Sequence, residues 1–271
     1  MTRLRRVARN VANLAAMSGF YEVLGFQPVT EAADDPKLAA LLEVERVVSL
    51  RLVLGAQELE LTQLIPAGAP YPACAKSDDI FFQHIAIRTR DIAVMQERAL
   101  RAGAVPITHN GPQRLPKASG GVIAWKFRDP EGHPIEFLEL PSERQTHDEA
   151  LTSGYDHSAL CVSDVERSIG FYEALGLRLQ HQHLNQGAAQ ARLDGLERGL
   201  VEVVAMTPRH ATPHVELLGY PGVVKSGQVT RLNDIAADRL VFASTGNRMM
   251  LSDPDGHVLI MDGDEAKPMA R

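Results

Sequence analysis

The chain has 271 residues, a formal net charge of −6, 45% apolar residues and 23% charged residues, an ordinary globular profile long enough for one large core or two smaller ones. The acidic balance and the 5% aromatic content speak against a basic nucleic-acid surface or a base-stacking platform. Cys74 and Cys161 stand far apart and outside any CxxC, which excludes a disulfide framework and a thiolate zinc site, and no run of about 20 apolar residues would cross a membrane as a helix.

In chain order, the arginine-rich segment 1–17 fits either a transit peptide or a first strand running into a helix. The strand is preferred, because the segment aligns with repeats further on. Strands are expected at 6–11, 26–29, 47–54 and 58–64, with a helix at 13–24. A linker follows at 66–79. A second unit has a strand at 82–88, a helix at 91–102, and strands at 122–127 and 135–140. After a linker at 141–154 come a strand at 158–162, a helix at 164–175, and strands at 200–205 and 214–218. In that helix Val165, Ile169, Tyr172 and Leu175 recur at helical spacing. Asp91 and Asp164 stand where N-caps belong, and Gly25, Gly103 and Gly176 just past the helix ends. A last linker at 221–238 leads to strands at 239–244 and 248–251, with no room between them for a helix.

The chain repeats itself. Gly19-Phe20-Tyr21-Glu22-Val23-Leu24-Gly25 returns as Gly170-Phe171-Tyr172-Glu173-Ala174-Leu175-Gly176, and Asp129-Pro130-Glu131-Gly132-His133 returns as Asp253-Pro254-Asp255-Gly256-His257. The two repeats interleave, which implies two halves of two β-α-β-β-β modules each: modules one and two at 1–140, three and four at 155–265, with the fourth truncated. The Asp-Pro-x-Gly segments read as tight turns before the last strand. Their histidines, His133 and His257, read as turn residues rather than ligands.

Paired modules with FYxxLG at the end of the first helix and DPxGxxxE before the last strand resemble the vicinal oxygen chelate superfamily of glyoxalase I, bleomycin-resistance proteins and extradiol dioxygenases. The resemblance covers about residues 4–263. It implies an α+β fold in which modules pair into two open eight-stranded cups. It also implies metal ligands early on each first strand and on each last strand. Those positions hold Arg6, His84, His157 and Arg239, then Glu60, Glu136, Glu216 and Ile260. If modules two and three share a cup, the ligand set is His84, Glu136, His157 and Glu216, and modules one and four form a cup without metal. If modules one and two share it, the set is Glu60, His84 and Glu136. The first pairing is preferred because it strands no strong ligand. Arg6 and Arg239 then either pair with a carboxylate such as Glu60 or clamp a substrate anion. His181 and His183 share one face of a strand and are expected in solvent.

Imidazole and carboxylate ligands suit Zn, Ni, Fe, Co or Mn. The resemblance implies a lyase or isomerase acting through a metal-stabilised enediolate on a small carbonyl substrate, with Glu136 or Glu216 as the base. The alternatives are a metal-free ligand-binding protein of the bleomycin-resistance kind and an extradiol dioxygenase. The second His and nearby Tyr of those dioxygenases are missing from 122–127. The loops 66–79 and 109–121 are expected to cover the cup. A cytoplasmic monomer or homodimer is expected, acting on a small molecule without nucleic-acid or membrane partners.

Overall fold

The computed structural model describes residues 3–141, 150–207, 213–222 and 230–263. Within them the first module comprises β1 (Arg3–Asn10), α1 (Leu14–Val23), β2 (Gln27–Pro28), β3 (Ala33–Asp34), α2 (Pro36–Leu41), β4 (Arg46–Leu54) and β5 (Gln57–Ile65). The second comprises β6 (Gln83–Thr89), α3 (Ile92–Arg101), β7 (Val105–Pro106), β8 (Gln113–Arg114), β9 (Ile123–Arg128) and β10 (Pro134–Glu139). The third comprises β11 (Thr152–Val162), α4 (Val165–Ala174), β12 (Arg178–Gln186), α5 (Ala188–Asp194), β13 (Leu200–Thr207) and β14 (His214–Gly219). The fourth holds β15 (Arg239–Ala243), β16 (Met249–Ser252) and β17 (Val258–Asp262) with no helix between them. Parts of two expected linkers, 142–149 and 223–229, lie outside the described residues.

The capping chemistry sets the three long helices. Asn13, Asp91 and Asp164 accept from the backbone N–H three residues on, at 3.1, 3.0 and 3.0 Å, satisfying donors that a helix start otherwise leaves unpaired. Gly25 and Gly176 end α1 and α4 at φ 102° and 95°, a left-handed conformation that a Cβ would penalise. Two helices escaped the sequence reading. α2 and α5 have six and seven residues, too short for a periodic signal.

Modules one and four share one sheet, in the order β16-β17-β15-β1-β5-β4-β2, with β3 on β4. Modules two and three share the other, in the order β12-β13-β14-β11-β6-β10-β9-β7, with β8 on β9. The sheets therefore join modules from different halves. One face of each sheet and the three long helices enclose the main core, which includes Met17, Phe20, Tyr21, Ile85, Ile87, Trp125, Phe127, Tyr155, Tyr172 and Phe242. The opposite face of the second sheet is the cup.

The two repeated motifs meet each other. Tyr21 Oη donates to Asp129 at 2.9 Å, and Tyr172 Oη to Asp253 at 3.2 Å. His133 Nε2 faces the Asn10 carbonyl at 2.8 Å, and His257 Nε2 the Cys161 carbonyl at 2.8 Å. Glu131 accepts from the Ala12 and Asn13 amides at 2.7 and 2.8 Å, and Asp255 from the Ser163 amide at 3.0 Å. Each turn thus clamps its module to the preceding one across the two sheets, which gives both turn histidines a structural task. Tyr172→Phe should cost about 1 kcal/mol, the net worth of one such bond, read as a shift in the urea midpoint at constant m-value.

The loop 66–79 departs from its expected place. It runs along the junction, with Tyr71 edge-on to His133 at 5.6 Å between centroids and the Gly68 amide on the Asn233 carbonyl. Among the described residues no helix is long and apolar enough to cross a membrane.

Candidate metal-binding cup

Strand alternation puts two rows of side chains on the open face of the second sheet. Cross-strand register aligns Lys126, Glu136, Ala86, His157 and His214 in one row. The adjacent row is His84, Ala159, Glu216, Ala205 and His181. The intervening Ile85, Ile135, Phe137, Val215 and Leu217 point into the core. Alanines at three central positions leave space above the sheet. The resulting cavity measures about 510 Å³ and contains all four expected ligands, His84, Glu136, His157 and Glu216. The loop 109–121 contributes Leu115, Ser119 and Gly120 to its wall.

His84 Nε2 lies 3.0 Å from Glu136 Oε2. His157 Nε2 lies 3.8 Å from that oxygen and 3.4 Å from Glu216 Oε2. His157 Nε2 is buried and makes no hydrogen bond. It is aimed between two carboxylates without bonding either. The ligand atoms of His84, Glu136 and His157 all lie within 4.8 Å of one another. Atoms bound to one ion at about 2.0–2.2 Å would lie within about 4.4 Å, so small side-chain rotations suffice. The donor set fits a borderline divalent cation.

The residues around this set hold it in place. His157 Nδ1 faces Asp156 Oδ2 at 3.1 Å, the carboxylate support that ligating histidines commonly have. His214 Nε2 lies 3.3 Å from Glu216 Oε1. Lys126 Nζ donates to Asp194 at 2.7 Å, both groups being buried. Asp156, Lys126, Asp194 and His214 were not singled out from sequence. A lone lysine in the otherwise apolar run 122–127 was a usable signal, as was a histidine two positions before Glu216 and so on the same face. Asp194 gave none, because α5 was not read.

Burial, reinforced by the Lys126 charge, lowers the His84 pKa to about 4. Burial works the same way on His157, but the charges of Glu216 and Asp156 outweigh it and raise that imidazole to about 9. Glu136 and Glu216 are both held below the ordinary carboxylate range despite burial, chiefly by Lys126 and by His157 respectively. The two histidines would therefore meet a cation differently at neutral pH. His84 is a free base, whereas His157 must first release a proton. Ion affinity should rise about tenfold per pH unit between pH 6 and 9 and level off above. Calorimetry in buffers of different ionisation enthalpy checks this, and a pH-independent affinity would contradict it.

The other cup is filled. Arg6 pairs with Glu60 and, at 3.1 Å, with Asp262, so its ligand position carries an ion pair. Arg239 is buried on Asn10 Oδ1, Thr62 Oγ1 and the Ala237 carbonyl, and burial lowers its pKa to about 10. Ile260 packs in a cluster with Leu38, Ala39 and Leu42 from the α2 segment. A void of about 10 Å³ remains, too small for an organic ligand. Both arginines are buried on partners within the chain rather than open to a ligand. His181 and His183 stack at 5.4 Å on the rim of the open cup.

A family model described as Glyoxalase/Bleomycin resistance protein/Dioxygenase superfamily matches residues 3–137. Glyoxalase I from Zea mays superposes with TM-score 0.62 at 18% identity, over 97% of this chain and 93% of that one. Its V278E mutant gives 0.65 at 17%, over the same shares. A putative dioxygenase from Bacillus subtilis gives 0.58 at 9%, over 96% of this chain and 84% of that one. At these identities the likeness is one of fold. No curated protein matches in sequence.

Proposed function

Because the chain belongs to the glyoxalase/bleomycin resistance protein/dioxygenase superfamily, we propose that its open cup holds one divalent ion (Zn, Ni, Fe, Co or Mn) on His84, Glu136, His157 and Glu216. On this reading the protein is a glyoxalase-like lyase or isomerase for a small carbonyl substrate. The observation that carries the reading is the buried, unbonded His157 Nε2 facing two carboxylates, with His84 Nε2 alongside. A buried carboxylate and two imidazoles whose ligand atoms lie within 4.8 Å of one another, with Glu216 beside them, form the donor set that a divalent cation takes. A Lewis-acidic ion in that position would favour the enediolate form of a bound hydroxy-carbonyl compound.

The protein's own groups then have separable tasks. His84 and His157 sit on β6 and β11, the central pair of the sheet, where strand backbone fixes them more rigidly than a loop would. Glu136 is the more buried of the two carboxylates and contacts His84. Glu216 is more open, at 15% side-chain exposure, and is the carboxylate placed to remove a proton beside the carbonyl. Asp156 orients His157, and His214 holds the second Glu216 oxygen. The α5 segment and the loop 109–121 wall the cup against water.

Plasma mass spectrometry on protein purified without chelator or affinity metal tests the reading. About one divalent ion per chain is expected, lost in both His84→Ala and His157→Ala. A chain that stays metal-free after reconstitution with Ni²⁺, Zn²⁺, Fe²⁺ or Mn²⁺ would sink it in favour of a ligand-sequestering protein.

A further inference from the structure

Lys126 has no task in the chemistry above, yet its ammonium lies in the wall of the cup and is nearly inaccessible, at 5% side-chain exposure. It stands directly across from Glu136 in the β9–β10 register. Opposed residues on one sheet face have Cβ atoms about 5 Å apart, Lys126 lines the same cavity as the four ligands, and its charge acts on both Glu136 and His84, so the ammonium is a neighbour of the proposed ion. Asp194 fixes it from the far side, and Gln190 Nε2 holds the other Asp194 oxygen at 2.8 Å. An ammonium has three donors, and Asp194 takes one of them.

Anchoring α5 does not require this pair. Thr108 Oγ1 bonds the Leu193 carbonyl at 3.0 Å, Ser77 Oγ the Asp194 carbonyl at 2.8 Å, and Arg192 Nε the Gln113 side chain at 2.7 Å. Removing a lysine and an aspartate from water is expensive, and an apolar pair would hold the helix as well. Beyond the polar rows the cavity has an apolar patch of Leu115, Val122, Leu138, Leu193, Val203 and Leu218, with Ser119, Asn185, Gln190 and Tyr220 as its polar neighbours.

We propose that Lys126 is a specificity-determining residue that receives the carboxylate of the substrate, so that the cup selects 2-oxo or 2-hydroxy acids with an apolar side chain. The inference rests on the metal reading above. Its geometry requires the carboxylate to be next to the chelating oxygen, because the ammonium is next to a ligand. The apolar patch takes the side chain.

The test is calorimetric titration of Ni²⁺-loaded protein with two chelators: oxalate, which carries carboxylates, and acetohydroxamate, which carries none. Wild type is compared with Lys126→Met and with Lys126→Met/Asp194→Leu, which leaves no orphaned acid if the single variant folds poorly. Both variants should bind oxalate at least tenfold more weakly and acetohydroxamate within threefold of wild type, with nickel content unchanged. An equal loss for both chelators, or none for either, at unchanged nickel overturns the role of Lys126 alone. A wild-type chain that takes up no nickel overturns the metal reading and this inference with it.

Discussion

Glu216→Gln is expected to slow turnover by about 10²–10⁴-fold, the usual worth of a positioned proton-transfer group, while the bound ion stays. Glu136→Gln is expected to release the ion. The asymmetry follows from where each carboxylate lies. Glu136 contacts His84 at 3.0 Å and belongs to the compact set with His157. Glutamine there would give up the more buried of the two anionic ligands. Glu216 sits one strand beyond His157, nearer the opening, with His214 on its outer oxygen. It can swing toward a substrate without dismantling the rest. The measurement pairs ion content with solvent deuterium exchange at the carbon beside the carbonyl of a 2-hydroxy-carbonyl probe such as glyceraldehyde. If both variants lose the ion to the same extent, the division of labour is wrong.

The largest effect on stability is expected away from the cup. Arg9 is fully buried between the sheets, its Nε 3.0 Å from Asp238, with its other nitrogens on Tyr21 Oη and the Pro134 carbonyl, each at 2.7 Å. His133 Nδ1 approaches the same carboxylate at 3.2 Å, and the Asp238 charge raises the His133 pKa although burial opposes it. Asp238→Ala leaves a buried guanidinium without its carboxylate and should cost about 3–5 kcal/mol. In a chain of this size that lowers the thermal midpoint by roughly 10 °C. Asp34→Ala is the control. It removes a pair with Arg46 in which both side chains are 57% exposed, and exposed pairs contribute about 0–1 kcal/mol. Equal effects of the two substitutions would show that the Arg9 cluster is not what ties the sheets together.

The sequence by itself determined the modules and the candidate ligands. Helix caps at Asn13, Asp91 and Asp164, terminal glycines and Asp-Pro-x-Gly turns act within a few residues, so local chemistry specifies them. The repeats exposed the modular plan, and the spacing of His84, Glu136, His157 and Glu216 followed from it. Their alternation with Ile85, Ile135, Phe137 and Val215 placed each on one face of a strand, but alternation cannot say whether that face meets solvent, a cup or a plug. Sheet pairing decided this, by seating β11 against β6. The metal-free cup was the preferred pairing, but Arg6 read either as a partner of Glu60 or as an anion clamp, and tertiary packing decided for the ion pair with Glu60 and Asp262, closed over by the α2 segment. Asp156, His214, Lys126 and Asp194 owe their place to register and to α5, a helix too short to leave a periodic trace. Local signals fix which way a side chain points along its own strand, while long-range packing fixes what it points at.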